Sequence, residues 1–147
     1  MELGIVTVCN SIAALHVEGV TIKDIDQIPP DCTRLTPILF PEPVNFVTNF
    51  TTDRNTFGAG SGGFRTIEYD LNYTFLFVPI GAGRALEYYG DMLTKVALIV
   101  DEILENDAIT GAWDIKTQGT VDFGPVPDPA GNNYLGCRLV FHVIEQL

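Results

Sequence analysis

The stretch that decides the fold is Arg65–Phe77, with the sequence RTIEYDLNYTFLF. Apolar residues occupy its odd-numbered positions after Arg65, and polar residues occupy most of its even-numbered ones. The apolar set is Ile67, Tyr69, Leu71, Tyr73, Phe75 and Phe77, and the polar set is Thr66, Glu68, Asp70, Asn72 and Thr74. A period of two is typical of a strand that buries one face. We therefore predict a long strand whose odd-numbered side chains point into the core.

The segments around this strand predict two helices and further strands. Apolar residues recur at helical spacing from Glu2 to about Leu15, and more clearly in a second segment after GAGR. The predicted buried stripe of that second helix is Leu86, Tyr89, Leu93, Val96, Ala97, Val100 and Leu104. We expect a brief strand near a sheet edge in TPILFPEP, because prolines bound it. Strand-like patterns also occur in Trp113–Phe123 and in the terminal YLGCRLVFHVIEQL.

This order of elements predicts the α+β class. Short turns between neighbouring strands favour antiparallel pairing with helices on one face. We expect a four-stranded, mainly antiparallel sheet with two helices packed on one face, in a single domain over residues 1–147. The polar, glycine-rich stretch from about Asn45 to Gly63 shows no period, so we predict a long loop insertion between the first two strands.

The glycine-rich part of this loop, GAGSGG at Gly58–Gly63, is not expected to bind phosphate. Phosphate-binding loops lead into a helix N-terminus, whereas this one leads into a strand. A mobile loop or hairpin tip that contacts a partner is the better interpretation, because aromatic and basic residues flank it. The candidate contact residues are Arg54, Phe57, Gly58, Gly60, Gly62, Gly63, Phe64 and Arg65.

The composition argues against several classes of function. A net charge of −11 with only eight Lys and Arg disfavours stable binding to nucleic acid. No apolar run reaches the roughly 18 residues of a membrane span, and no basic signal region opens the chain, so we expect folding in a cytoplasm. His16 and His142 lie in different elements without a nucleophile motif, and no metal-ligand spacing occurs. We therefore predict no enzyme activity, no cofactor and no metal.

Cysteine and aromatic residues have plain structural interpretations. Cys9, Cys32 and Cys137 are widely spaced without a CxxC pair, so we expect free buried thiols. A ligand pocket lined by aromatic side chains is an alternative from a different functional class. Its candidates are Tyr69, Tyr73, Tyr88 and Trp113, although such residues more often belong to the core.

The final strand suggests that a second surface is covered. Val140 and Ile144 fall on the face that also carries Arg138 and His142, which makes this face more apolar than a solvated one. Either another subunit or a further helix of this chain would explain that pattern. An interaction protein explains the loop, this face and the negative charge better than an enzyme does.

Several segments together resemble the tail-terminator, or tail-completion, proteins of long-tailed bacteriophages. They are the N-terminal helix, the extended VTIKDIDQIPPDC, the proline-bounded PILFPEP, the alternating RTIEYDLNYTFLF, one amphipathic helix after GAGR, and the terminal YLGCRLVFHV. The similarity spans nearly the whole chain, although the stretch from Asn45 to Gly63 is longer than the corresponding turn expected in the family. It rests on patterns of apolar residues with a few Gly and Pro markers.

The resemblance implies a structural virion protein. Such a protein forms a homo-hexameric ring at the virion neck, caps the head-proximal end of the tail tube, stops its polymerisation and docks to the head–tail connector. DNA would pass through an acidic channel without specific binding. Glu68 and Asp70 are candidates for the channel or a subunit interface, together with Arg138, Val140 and Ile144. The alternative within assembly proteins is a head-closure or head–tail adaptor ring at the same junction.

Overall fold

The protein is described here from a computed structural model, which describes residues 4–43, 45–54, 65–79, 85–105, 114–117 and 122–146. Helix α1 spans Ile5–Ala13, and helix α2 spans Tyr89–Glu105 directly after a 3-10 turn at Ala85–Tyr88. The strands are β1 Thr21–Ile22, β2 Ile38–Pro41, β3 Val47–Arg54, β4 Arg65–Pro79, β5 Asp114–Thr117, β6 Asp122–Pro127 and β7 Asn133–Gln146. This mixture confirms the α+β class.

The sheet is built on one long antiparallel pair, β4 and β7, whose register runs from Thr66 opposite Gln146 to Pro79 opposite Tyr134. Strands β2 and β3 follow one another along the free side of β4, while β5 and β6 do so along the free side of β7. Strand β1 extends the sheet beyond β2 and makes the one parallel pairing among the described strands. The long strand predicted from RTIEYDLNYTFLF is confirmed, and it lies at the centre of the sheet.

Two sequence predictions about the sheet are wrong. The described residues form seven strands rather than four, because two shorter strands lie in line along each of the two long central strands and β1 extends the sheet beyond β2. Part of the predicted loop at 45–63 is strand β3, which is rich in β-branched threonine and pairs with β4. A register shift between Thr48 and Thr51, with Asn49 at a φ of 53°, breaks the alternation of β3.

The core lies between the sheet and the two helices. Odd-numbered residues of β4 and β7 point to this side, as predicted, and pack against Val8, Cys9 and Ile12 of α1. Helix α2 buries Met92, Val96, Ile99 and Ile103. The predicted stripe is therefore correct in part: Val96 is buried and Tyr89 and Val100 pack against the core, whereas Leu93 and Ala97 are exposed. Apolar residues cover a wide arc of α2, so their spacing alone does not define which part of that arc is buried.

A smaller core covers one end of the opposite sheet face. It consists of Ile28, Cys32, Ile38, Phe40, Leu76, Val126 and Tyr134. Ile28 and Cys32 belong to the segment between β1 and β2, which therefore lies over this end of the sheet. All three cysteines are buried and free, as predicted. Burial raises the pKa of the Cys137 thiol to about 12.

Candidate interaction surface

The sheet face opposite the helices carries the predicted interface residues, and we call it the open face. Antiparallel register sets Glu68 opposite Ile144, Asp70 opposite His142, Asn72 opposite Val140 and Thr74 opposite Arg138. Residues directly opposite in a sheet share a face. The structure thus brings together all five predicted channel or interface residues: Glu68, Asp70, Arg138, Val140 and Ile144.

Side chains at the centre of the open face are half-buried, although no described helix or loop packs over them. Val140, His142 and Ile144 are half-buried, as are Glu68 and Asn72. Both described helices pack against the other face, and the smaller core reaches the Tyr134 end only. Half-buried Val140 and Ile144 beside polar neighbours therefore form a surface of mixed polarity.

Asp70 is held inside a polar network rather than presented to a partner. It is 7% exposed. Its Oδ2 accepts a hydrogen bond of 2.7 Å from the Asn49 side chain, and its Oδ1 lies 2.9 Å from Nδ1 of His142. The network joins β3, β4 and β7, because Asn49 occupies the irregular position in β3. Asp70 is therefore a structural link between strands.

His142 is fixed by this contact. A carboxylate only accepts hydrogen bonds, so Nδ1 of His142 donates to Asp70. A histidine oriented by an aspartate is two-thirds of a nucleophile-activating triad. Among the described residues, however, no hydroxyl or thiol is hydrogen-bonded to His142. The pair joins β4 to β7.

Replacing Asp70 by alanine should lower the free energy of unfolding by about 2 kcal/mol, because two polar side chains would lose a buried acceptor. Urea denaturation followed by circular dichroism measures this change. Glu68→Ala is the matched control on the same strand and face, and we expect it to stay within about 0.5 kcal/mol. Equal losses for the two variants would contradict the linking role of Asp70.

A cavity of about 410 Å³ lies at the other end of the open face, and we call it the proline pocket. Its lining consists of Phe40, Glu42, Pro43, Thr74, Val126, Pro127, Asp128, Pro129 and Arg138. These residues come from β2, β4, β6, β7 and their adjoining turns, so the register of the sheet builds the cavity. Nη2 of Arg138 lies 3.7 Å from Oε1 of Glu42.

Asp128 fixes one wall of the proline pocket. It is 4% exposed. Its Oδ2 accepts hydrogen bonds from the Cys32 amide and the Tyr134 hydroxyl, at 3.1 and 2.8 Å, and also from the Asn132 side chain. Its Oδ1 accepts from the Asn132 amide. Burial alone would raise the pKa of Asp128, but these hydrogen bonds outweigh it and hold that pKa below its ordinary value.

The predicted contact loop lies mainly outside the described residues. This applies to Phe57, Gly58, Gly60, Gly62, Gly63 and Phe64. Arg54 and Arg65 are described in their backbones, and they form the last pair of the β3–β4 ladder. The loop therefore joins the two strands of a hairpin, and its contact role stays a prediction.

The three described aromatic residues of the alternative ligand pocket do not line a common pocket. Tyr69 and Tyr73 are fully buried in the main core, Tyr88 is 37% exposed, and Trp113 lies outside the described residues. The Tyr73 ring makes edge contacts with Phe46 and Phe141. Burial raises the pKa of both buried tyrosines. Tyr69 and Tyr73 are core residues, as the sequence favoured.

Glu145 is a structural residue that sequence reasoning missed. Because Glu145 lies two residues after Val143 in a strand, the sequence predicts only that it points toward the core, where a charged residue is unexpected. The structure buries it to 2% exposure, and its Oε1 accepts a 2.7 Å hydrogen bond from the Gly4 amide. Gly4 precedes α1 and has no side chain for capping. Glu145, on a distant strand, therefore accepts a hydrogen bond from a backbone amide at the start of α1 that would otherwise lack an acceptor within the helix.

Comparisons with known proteins do not identify the chain. A scan against protein-family models found no match, and a search of curated proteins found no significantly similar sequence. Within the described ranges, no three His, Cys, Asp or Glu side chains gather as metal ligands. None of the helices in the described part is long and apolar enough to cross a membrane.

Proposed function

We propose that this chain is a structural virion protein that forms a homo-hexameric ring at the head-proximal end of a phage tail tube. In this role it ends polymerisation of the tube and docks the tail to the head–tail connector, and it needs no cofactor and no catalytic activity. The half-buried open face carries the proposal. It gives the subunit an extended surface of mixed polarity that the described part of the chain leaves uncovered.

The open face supports a contact between neighbouring subunits better than a channel wall. A channel that passes DNA needs exposed, repelling charge. On the open face, Asp70 is buried and already bonded, while Val140 and Ile144 offer apolar area. A ring repeats one heterologous contact between two different patches until it closes. We assign Val140 and Ile144 to one of those patches.

The negative charge supports the proposed passage of DNA. A hexamer would gather six times the net charge of −11 around one axis. Exposed acids outside the open face include Glu87, Asp91 and Asp101 on or beside α2. A surface of this sign repels phosphates, so DNA would pass without adhering. The charge also opposes self-association, which makes the apolar part of the subunit contact necessary.

Replacing Ile144 by glutamate should prevent ring formation. Light scattering with negative-stain microscopy measures the state of the protein, alone and with preformed tubes of its cognate tail-tube protein. We expect rings of six times 16.1 kDa, either free or on tube ends, for the natural chain and 16.1 kDa monomers for the variant. Burying an unpaired charge in an apolar contact is strongly unfavourable, and a ring repeats that cost at every subunit contact.

Leu98→Glu is the control for this experiment. Leu98 is 42% exposed on α2, which packs on the opposite side of the sheet, so this variant should still form rings. Rings made equally by Ile144→Glu would contradict the assignment of the open face. A natural chain that neither forms rings nor caps tubes would contradict the proposed function. Labelling the protein in virions and finding it on the connector side alone would favour an adaptor ring.

A further inference from the structure

The proline pocket has the features of a preformed peptide-binding site. Its volume of about 410 Å³ lies within the range of sites that bind small ligands or a few side chains. Its floor is apolar, because Phe40 and Val126 are buried there, and three prolines add rigid apolar walls. Strands and prolines lose little freedom on binding, so the pocket is organised before a ligand enters.

The charges of the pocket favour a cationic ligand. Two carboxylates, those of Glu42 and Asp128, line it against the single cation of Arg138. Asp128 is occupied by donors from its own chain. Among the described residues, the Glu42 carboxylate has an ion-pair partner in Arg138 but no hydrogen bond to it, because Nη2 of Arg138 lies 3.7 Å away, beyond hydrogen-bonding distance. The side chain of Glu42 is 17% exposed, whereas that of Arg138 is 51% exposed and can turn into solvent.

We propose that the proline pocket binds a partner's peptide segment in which an apolar side chain is followed by arginine or lysine. The apolar side chain packs on Phe40 and the prolines, and the cation replaces Arg138 as the partner of Glu42. The net charge of −11 attracts such a segment and repels an acidic one. This site does not depend on the proposed ring.

The test uses the peptide acetyl-Phe-Arg-amide and its neutral match acetyl-Phe-citrulline-amide, which keeps the shape of arginine without its charge. Titration followed by ¹⁵N NMR measures shifts of the Thr74, Val126 and Asp128 amides. We expect the arginine peptide to bind about fivefold more tightly than the citrulline peptide. Equal affinities, or no shift at about 10 mM of either peptide, would overturn the proposal.

Two variants should change the affinity for the arginine peptide in opposite directions. Glu42→Gln should weaken binding of the arginine peptide about fivefold, because the acceptor loses its charge. Arg138→Gln should strengthen it about threefold, because the competing cation is gone. Weaker binding of the arginine peptide to Arg138→Gln would show that Arg138 contributes to binding rather than competes with the peptide, and would reject the proposal. Both substitutions introduce a neutral polar side chain of similar reach, so both variants should fold.

The pocket and the proposed subunit contact are separable. Arg138 and Ile144 are six residues apart on β7, which places them roughly 20 Å apart along an extended strand. The titration is therefore repeated on Ile144→Glu, in which the proposed ring cannot form. Binding to this variant supports the pocket whether or not rings exist. Failure to bind here, with rings intact in the natural chain, rejects the pocket alone.

Discussion

Gly136→Ala should lower the free energy of unfolding by about 3 kcal/mol or more, because the added methyl group has no space. Gly136 is buried in β7 opposite Leu76 of β4. A Cβ at this position would collide with the carbonyl oxygen of Phe75 and would lie 3.2 Å from its carbonyl carbon and 3.3 Å from Cα of Leu76. All three obstacles are backbone atoms of the central strand, so no side-chain rotation relieves them.

Gly90→Ala is the matched control for this prediction. It makes the same chemical change in exposed α2, where an added Cβ meets nothing within 4 Å. Alanine favours a helix over glycine by up to about 1 kcal/mol, so this variant should be as stable as the natural chain or more so. Urea denaturation at neutral pH compares the two. A loss below about 1 kcal/mol for Gly136→Ala would show that β4 and β7 separate easily at this point.

The sequence predicts the fold correctly where a single hydrophobic period runs through a whole helix or strand. Strand β4 alternates without interruption through Phe75, and its buried face follows directly from that pattern. Helix α2 could be located but not oriented, because its apolar arc includes both buried Met92 and exposed Leu93. Strand β3 was predicted as loop, because the irregularity at Asn49 shifts its period and its partner residues lie beyond the glycine-rich stretch.

The sequence predicts which residues lie on the candidate surface, but it does not predict which of them are buried or hydrogen-bonded. Parity along β4 and β7 correctly placed Glu68, Val140 and Ile144 on one face. The burial of Asp70 depends on Asn49 from a third strand, and sequence spacing does not contain that contact. The proline pocket depends on four strands whose register only the folded sheet defines. Such sites are built from segments that are distant in sequence, so a local motif cannot predict them.

Asp128→Ala should lower the free energy of unfolding by about 3 kcal/mol at neutral pH. The change leaves the Cys32 amide, the Tyr134 hydroxyl and two Asn132 donors without their common acceptor. Hydrogen bonds to a charged group contribute about 1.5–3 kcal/mol, and buried donors left unpaired add their desolvation. The effect is large because Asp128 ties the turn after β6 to the segment that covers the smaller core.

The pH dependence of this difference identifies the carboxylate as its cause. The folded state holds the pKa of Asp128 below its ordinary value, near 3.9 in an unfolded chain. A depressed pKa means that the stabilisation is fully present above the unfolded value and is lost as pH falls through the folded one. The gap in unfolding free energy between the natural chain and Asp128→Ala should therefore stay constant from neutral pH to about pH 5 and narrow below about pH 4.

Asp26→Ala separates this effect from general acid denaturation. Asp26 is an exposed acid in the same segment as Cys32, and its removal should change stability by less than about 0.5 kcal/mol. Urea denaturation of all three proteins at pH 7, 5, 4 and 3 gives the comparison. A gap for Asp128→Ala that stayed constant to the lowest pH would mean that shape, rather than charge, accounts for the loss. Because Asp128 also forms a wall of the proline pocket, that result would assign the rigidity of the wall to packing alone.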